Sequence, residues 1–194
     1  MRKLREFLKN NSWIWIVVVV AIAFFGDIYL QRATRRGAAP TPTPVSRIAS
    51  YKNVTPGVAT EADLRQAFGT PVKTTVSDGQ TIDEFTSTSE LRLHSAIIEN
   101  GKVIFIKEIV SAHDTRIAKD ITDIYGPASY FLYNKSPNDV FNLYAYPSNG
   151  IAYVGSENGI LLEVWYFQPT TFEDFLNRWA SEEYTLTEPS ERPQ

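Results

Sequence analysis

The run from Trp13 to Leu30, WIWIVVVVAIAFFGDIYL, constrains this chain more than any other stretch, because it dictates where everything after it can fold. It carries a single charge, Asp27, near its end. As a helix rising about 1.5 Å per residue it extends roughly 27 Å, close to the hydrocarbon thickness of a bilayer, about 30 Å. A helix satisfies its own backbone hydrogen bonds in lipid, which an isolated strand cannot do. Trp13, Trp15 and Tyr29 sit near the two ends, where amphipathic rings favour the headgroup level, and Arg2, Lys3, Arg5 and Lys9 precede the run. Ala21 and Ala23 have the spacing of a signal-cleavage site, but they lie inside the run and two phenylalanines follow. The expectation is an uncleaved, single-pass transmembrane anchor over 13–30, with residues 1–12 as a cytoplasmic head and the bulk of the chain outside the cell membrane.

Charge divides the chain at the same place. Residues 1–52 carry nine Lys/Arg against Glu6 and Asp27, a net of +7, whereas residues 53–194 carry ten Lys/Arg against twenty Asp/Glu, a net of −10. The basic part suits anionic headgroups, and the acidic part argues against a nucleic-acid partner. With no cysteine, the exported part must be held by a core rather than by disulfides. Between the two parts, GAAPTPTP (37–44) favours extended polyproline II, so residues 31–52 read as a basic, Pro/Thr-rich linker.

Beyond the linker the pattern is helix, then strands, then the same again. Thr60 to Asp63 has the form of a capping box, Leu64, Ala67 and Phe68 give one apolar face, and Gly69 and Pro71 stop the helix. Strand-like runs follow at 72–76, 82–86, 91–98 and 103–110, with Asp78-Gly79 and Asn100-Gly101 as tight-turn pairs. Ile117, Ile121 and Ile124 then mark a second amphipathic helix that ends at Gly126-Pro127, before strand-like runs at 129–133, 140–146, 151–154 and 160–167. The intervals from Gly69 to Gly126 and from Asn100-Gly101 to Asn158-Gly159 are nearly equal, roughly 57 residues, which is the mark of an internal duplication. A last capped helix over 171–180 closes the core, and 181–194 is acidic, proline-containing and expected to be disordered. The fold expected is α+β: a tandem repeat of a short helix followed by an antiparallel meander (53–110, then 111–180 with the closing helix), helices packed on the sheet, plus one N-terminal transmembrane helix.

The stretch VTPGVATEADLRQAFGTP, in which a Pro-Gly and a Thr precede a short helix ending in Phe-Gly-x-Pro, resembles the repeat opening of BamE-like outer-membrane assembly lipoproteins and of the related β-lactamase-inhibitor-like fold. The second copy, IAKDITDIYGP, keeps the helix and the Tyr-Gly-Pro end but lacks the Pro-Gly-x-x-Thr opening. Over residues 54–167 the resemblance implies small helices on an antiparallel sheet and a protein-binding role. The chain departs from those families in having one helix before about four strands where they have two before three, and in lacking a lipidated cysteine.

Catalytic signals are sparse, and neither a cofactor nor a metal is expected. The two histidines, His94 and His113, stand far apart in the chain with no zinc-binding spacing, and no G-x-S-x-G elbow holds a serine. His94 shares parity with Arg92 and is expected on a solvent face; His113 reads as a residue at the start of the second helix. The adjacent pair Asp83-Glu84 reads as solvated surface. Aromatic residues are concentrated in one half: ten lie between Ser129 and Phe167, whereas residues 60–110 have only Phe68, Phe85 and Phe105. Tyrosine suits strands, yet Tyr and Trp also dominate interfaces. Alternation puts Phe141, Leu143 and Ala145 on a core face, leaving Tyr144 and Tyr146, with Trp165 near the closing edge, as candidates for a displayed partner-binding surface. The leading reading is therefore a membrane-tethered, extracytoplasmic interaction module that binds a protein or envelope component. A small-molecule sensor or carrier would need an enclosed apolar cavity, and an envelope hydrolase would need a cleft joining His94 or His113 to carboxylates.

Overall fold

The computed structural model describes residues 47–137 and 139–190. The expected anchor over 13–30, the head before it and most of the linker fall outside these residues. No helix among the described residues is long and apolar enough to cross a membrane.

The described residues form a nine-stranded antiparallel sheet with a few short helices. Helix α1 (Glu61–Phe68) leads into β1 (Lys73–Ser77), β2 (Gln80–Phe85), β3 (His94–Glu99) and β4 (Lys102–Ile109). Helix α2 (Ala118–Tyr125) leads into β5 (Tyr130–Asn134), β6 (Asn142–Tyr146), β7 (Ile151–Gly155) and β8 (Leu161–Phe167). A short helix α3 (Phe172–Phe175) continues into a π-helical turn (Leu176–Ala180), and β9 (Tyr184–Thr185) ends the order. Across the sheet the strands run β1-β2-β3-β4-β8-β7-β6-β5-β9, so two meanders are joined through their last strands.

Local chemistry explains most boundaries. Thr60 and Asp63 close a reciprocal box at the start of α1, with the Thr60 N–H donating to the Asp63 carboxylate at 2.8 Å. At α2 the cap is Ile117, whose side chain cannot accept a bond, so only the Asp120 half remains. Both helices end on a glycine with positive φ, 82° at Gly69 and 79° at Gly126, a conformation that costs a side-chain-bearing residue. Asp78-Gly79 and Asn100-Gly101 have positive φ at both positions, which is the two-residue turn their sequence predicts. The β3–β4 ladder shifts register at Ile97/Ile98 and the β7–β8 ladder at Val154/Gly155, the same interval that separates the two cap glycines. Where β4 meets β8, Lys107 faces Trp165, its counterpart at the interval between the two Asn-Gly pairs.

The sheet is covered on both sides. On one side Leu64 of α1 and Ile121 of α2 pack with Ile106, Tyr146, Val164 and Tyr166. On the other, Phe175, Ala180 and Tyr184 pack with Phe105, Leu143, Val154, Trp165 and Phe167. Several expectations change here. Of the three isoleucines assigned to the face of the second helix only Ile121 is buried, because the helix is two turns long and Ile117 and Ile124 fall at its rim. Residues 184–185, expected to be disordered, pair with β5, since Tyr184 supplies an aromatic ring to the second core. The packed region also begins before Asn53: Ala49 is fully buried and its N–H donates to the Asn149 carbonyl at 2.9 Å.

Candidate functional site

The three aromatic candidates do not form a displayed surface. Tyr146 is 1% exposed, and its hydroxyl donates to the Gly126 carbonyl at 2.8 Å, tying the sheet to the end of α2. Tyr144 is half-buried, stacked on Tyr153 at 4.7 Å between ring centres and edge-on to Phe131. Trp165 is 2% exposed, in a central strand rather than at a closing edge, with its ring N–H on Glu163 at 2.7 Å. Alternation separates the faces correctly but places Trp165 on the opposite side from the two tyrosines. What it cannot foresee is that helices cover one face and the C-terminal segment the other.

The set of ionisable groups brought together by the fold lies instead at the start of β3. His94, expected to face solvent, is 6% exposed. The strand begins at His94 itself, so alternation carried over from Arg92 in the preceding loop does not apply. The backbone N–H of Ile109 donates to His94 Nδ1 at 2.9 Å, which pins the ring against β4. Beside it, Glu108 is buried and accepts the Tyr166 hydroxyl at 2.7 Å and the Arg116 guanidinium. Asp114 in the loop before α2 accepts the Ser111 N–H and the Thr88 hydroxyl, both at 2.7 Å. Tyr51 comes from the N-terminal segment, stacked on Tyr166 and edge-on to His94, with the Lys52 ammonium 5.5 Å from its ring centre. Of these residues, Tyr51, Thr88, His94, Glu108, Asp114 and Arg116 line a cleft of about 200 Å³.

Electrostatics sets the protonation of each member. Burial, helped by the Lys52 charge and opposed by Asp114, lowers the His94 pKa from its ordinary 6.5, so the ring is neutral near pH 7. Because Nδ1 accepts a backbone N–H, the proton of that neutral ring resides on Nε2. Burial and then the Glu108 charge raise the Tyr51 and Tyr166 hydroxyls, which therefore stay protonated as donors. Burial disfavours the Arg116 charge, but Tyr166 and Glu108 outweigh it and the guanidinium pKa is raised. The Ser111 and Thr88 hydrogen bonds hold Asp114 below the usual carboxylate range.

The sequence carried one usable signal for this cleft. Glu108 interrupts the apolar stretch Val103 to Val110, and a carboxylate inside a buried strand needs a partner. Asp83 behaves likewise. Read as surface, it is fully buried, bonded to Thr74 at 2.5 Å and beside Arg65 at 3.2 Å. His113 lies exposed in the loop before α2. Two larger hollows, about 450 Å³ beside Trp179 and about 490 Å³ between Lys52 and Ala67, are lined by no comparable set of buried ionisable groups. Among the described residues no group of three His, Cys, Asp or Glu side chains could hold a metal ion.

No protein-family model and no curated protein matches this sequence. Among solved structures, a DUF4309 family protein of Bacillus subtilis, YjgB, is similar at a TM-score of 0.41 and 12% identity, over 63% of this chain and 88% of that one. A cysteine-rich secretory protein of Staphylococcus aureus, SAV1118, is similar at 0.39 and 13% identity, over 76% of this chain and 57% of that one. Overlaps of this size identify neither a fold family nor a function.

Proposed function

We propose that the chain is a membrane-tethered, extracytoplasmic module that binds a protein or envelope component through the His94 cleft, without chemically altering it. The observation that carries this reading is the state of His94. With Nδ1 occupied by the Ile109 N–H, the nitrogen left without a hydrogen-bond partner among the described residues is Nε2, and in the neutral ring it is a donor. A general base needs a free lone pair, which this tautomer lacks. Glu108 and Asp114 stand close by, as a hydrolase would require, but each is already engaged by two donors. A histidine N–H beside a tyrosine hydroxyl and a guanidinium suits a carbonyl or carboxylate oxygen. A volume of about 200 Å³ accepts one such group offered by a larger partner, and falls short of the roughly 300–1,000 Å³ of pockets that enclose whole small molecules.

The tether in this reading is the run 13–30, with the N-terminus in the cytoplasm. The two halves are taken as copies of one helix-plus-meander unit, as the BamE-like resemblance suggests. Three features support that: cap glycines of the same conformation, register shifts separated by the same interval as those glycines, and the Lys107–Trp165 pair at the join.

The test is a photo-crosslinking residue placed at Thr115, on the exposed lip of the cleft, in the full chain in its native membrane. The expected result is one discrete adduct, lost on His94→Phe while the protein stays folded. Labelling no stronger than from a probe at exposed Ile160 would refute the reading, as would turnover of an envelope substrate that depends on His94.

A further inference from the structure

The two edges of the sheet differ. At one end β9 is only two residues long, and acidic Glu188 follows it shortly. At the other, β1 is exposed at all five residues, Lys73 to Ser77, and among the described residues it is paired on one side only. Folded proteins normally protect such an edge with a charge, a proline, a bulge or a covering element, because its free N–H and C=O groups are a template for another strand. Between Lys73 and Ser77 there is no proline, and the register on β2 runs unbroken from Lys73–Glu84 to Ser77–Gln80. The one charged residue does not guard the edge. Lys73 Nζ is turned back onto Glu84 at 2.9 Å, so its charge is neutralised within the hairpin.

We propose that two copies of this chain pair through β1, antiparallel and about a two-fold axis at Thr75. The tight turn at Asp78-Gly79 makes Ser77–Gln80 the first hydrogen-bonded pair. Lys73, Thr75 and Ser77 therefore direct their backbone groups to β2, and Thr74 and Val76 direct theirs outward. In the register that overlaps all five residues, Thr74 of one copy bonds Val76 of the other, Thr75 faces Thr75, and Lys73 faces Ser77. No like charges meet, and apart from Lys73 the residues facing one another are β-branched or small, as strand pairs favour. A second copy fits this edge because the edge is its own complement, and pairing about a two-fold axis closes the β1 edge of both copies at once. Pairing β1 to β9 would instead propagate open-endedly, over only two residues. This inference does not depend on what the His94 cleft binds.

The chain has no cysteine, so single cysteines report the geometry directly in the full-length protein in its membrane. Thr75→Cys places two thiols at a facing, non-hydrogen-bonded position, where separations come close to those a disulfide needs. The expected result is a disulfide-linked dimer several-fold more abundant than from Ile160→Cys on the exposed β7–β8 turn. Lys73→Cys and Ser77→Cys should each crosslink poorly alone and well when the two variants are mixed. Adding Val76→Pro, which removes an outward N–H without entering the core, should abolish the Thr75→Cys dimer while leaving the melting temperature of the monomer nearly unchanged. Equal crosslinking at Thr75 and Ile160 would overturn the proposal, as would capture of a different polypeptide by Thr75→Cys or persistence of the dimer with proline at 76. Counting subunits of the unmodified chain in single nanodiscs supplies a reading free of substitutions: monomers alone at high loading would also overturn it.

Discussion

The two meanders follow the same element order yet end up in different surroundings. In the first, β1 is wholly exposed, β2 buries Asp83 and Phe85, and β3 alternates buried with half-buried residues. In the second, β7 is buried at every position and β6 and β8 at all but one. The difference comes from what lies on top. Helices α1 and α2 cover one face of the sheet, whereas α3, the π-helical turn and Tyr184 cover the other face mainly over the second meander. A strand buried on one face alternates, and a strand buried on both becomes a continuous apolar run. Five of the ten aromatics between Ser129 and Phe167, namely Tyr146, Tyr153, Trp165, Tyr166 and Phe167, are buried in the two cores and need no recognition surface to account for them, whereas Tyr130, Phe131, Tyr133, Phe141 and Tyr144 are exposed or only partly buried.

The largest expected effect tests this contrast at the join between the halves. Trp165→Ala removes a ring packed against Phe105 and Tyr184 and should destabilise the fold by about 3–5 kcal/mol. Lys107→Ala, its facing partner, is half-buried with a long ion pair of 3.7 Å to Glu163 and should cost no more than about 1 kcal/mol. Urea unfolding of both variants measures the gap, and equal losses would break the comparison.

Next comes the bond across the join between Glu108 of the first half and Tyr166 of the second. Arg116→Met leaves the buried Glu108 carboxylate without its cation and should cost about 3 kcal/mol, read as a shift in urea midpoint. Tyr146→Phe is milder. It keeps the ring and loses one hydrogen bond to the end of α2, a change of about 1 kcal/mol, with faster amide exchange expected in α2 than in α1.

The two helix caps give a change of opposite sign. Thr60→Ala breaks a complete box and should destabilise by about 1 kcal/mol, whereas Ile117→Thr supplies the missing hydroxyl at an exposed site and should stabilise by up to about 1 kcal/mol. The smallest expected effect is a slope in pH. His94 has a folded pKa below its ordinary 6.5, so between those values the unfolded chain binds more protons than the folded one and stability falls as pH drops below about 6.5. Melting temperatures followed from pH 7.5 to 5 should decline, with the slope reduced in His94→Phe. Ile151, which follows His94 by the interval between the cap glycines, does not titrate, so this histidine contribution has no equivalent at that position.

Most of the element order was legible because the signals behind it are local. Asp78-Gly79 and Asn100-Gly101 turn where they do because positive φ is cheap there, and Thr60 with Asp63 starts a helix through bonds between near neighbours in the chain. The strand boundaries agree with the alternating and apolar runs to within a few residues. Burial was less legible. His94, Asp83 and Tyr146 were each placed on the wrong side of the surface, because periodicity separates two faces of a strand without saying how many are covered.

Sequence alone therefore determined where the chain turns, where each helix is capped and how the charge divides, since each depends on neighbours a few residues apart. Only the tertiary structure decided which faces are dry, which strands lie at the edges of the sheet and which charges meet. Glu108 finds Tyr166 because β4 and β8 pair at the centre of the sheet, and Tyr184 is buried because β9 returns to β5. These contacts join residues far apart in the chain, and their energy comes from excluding water on both sides of one sheet, a property no single stretch possesses.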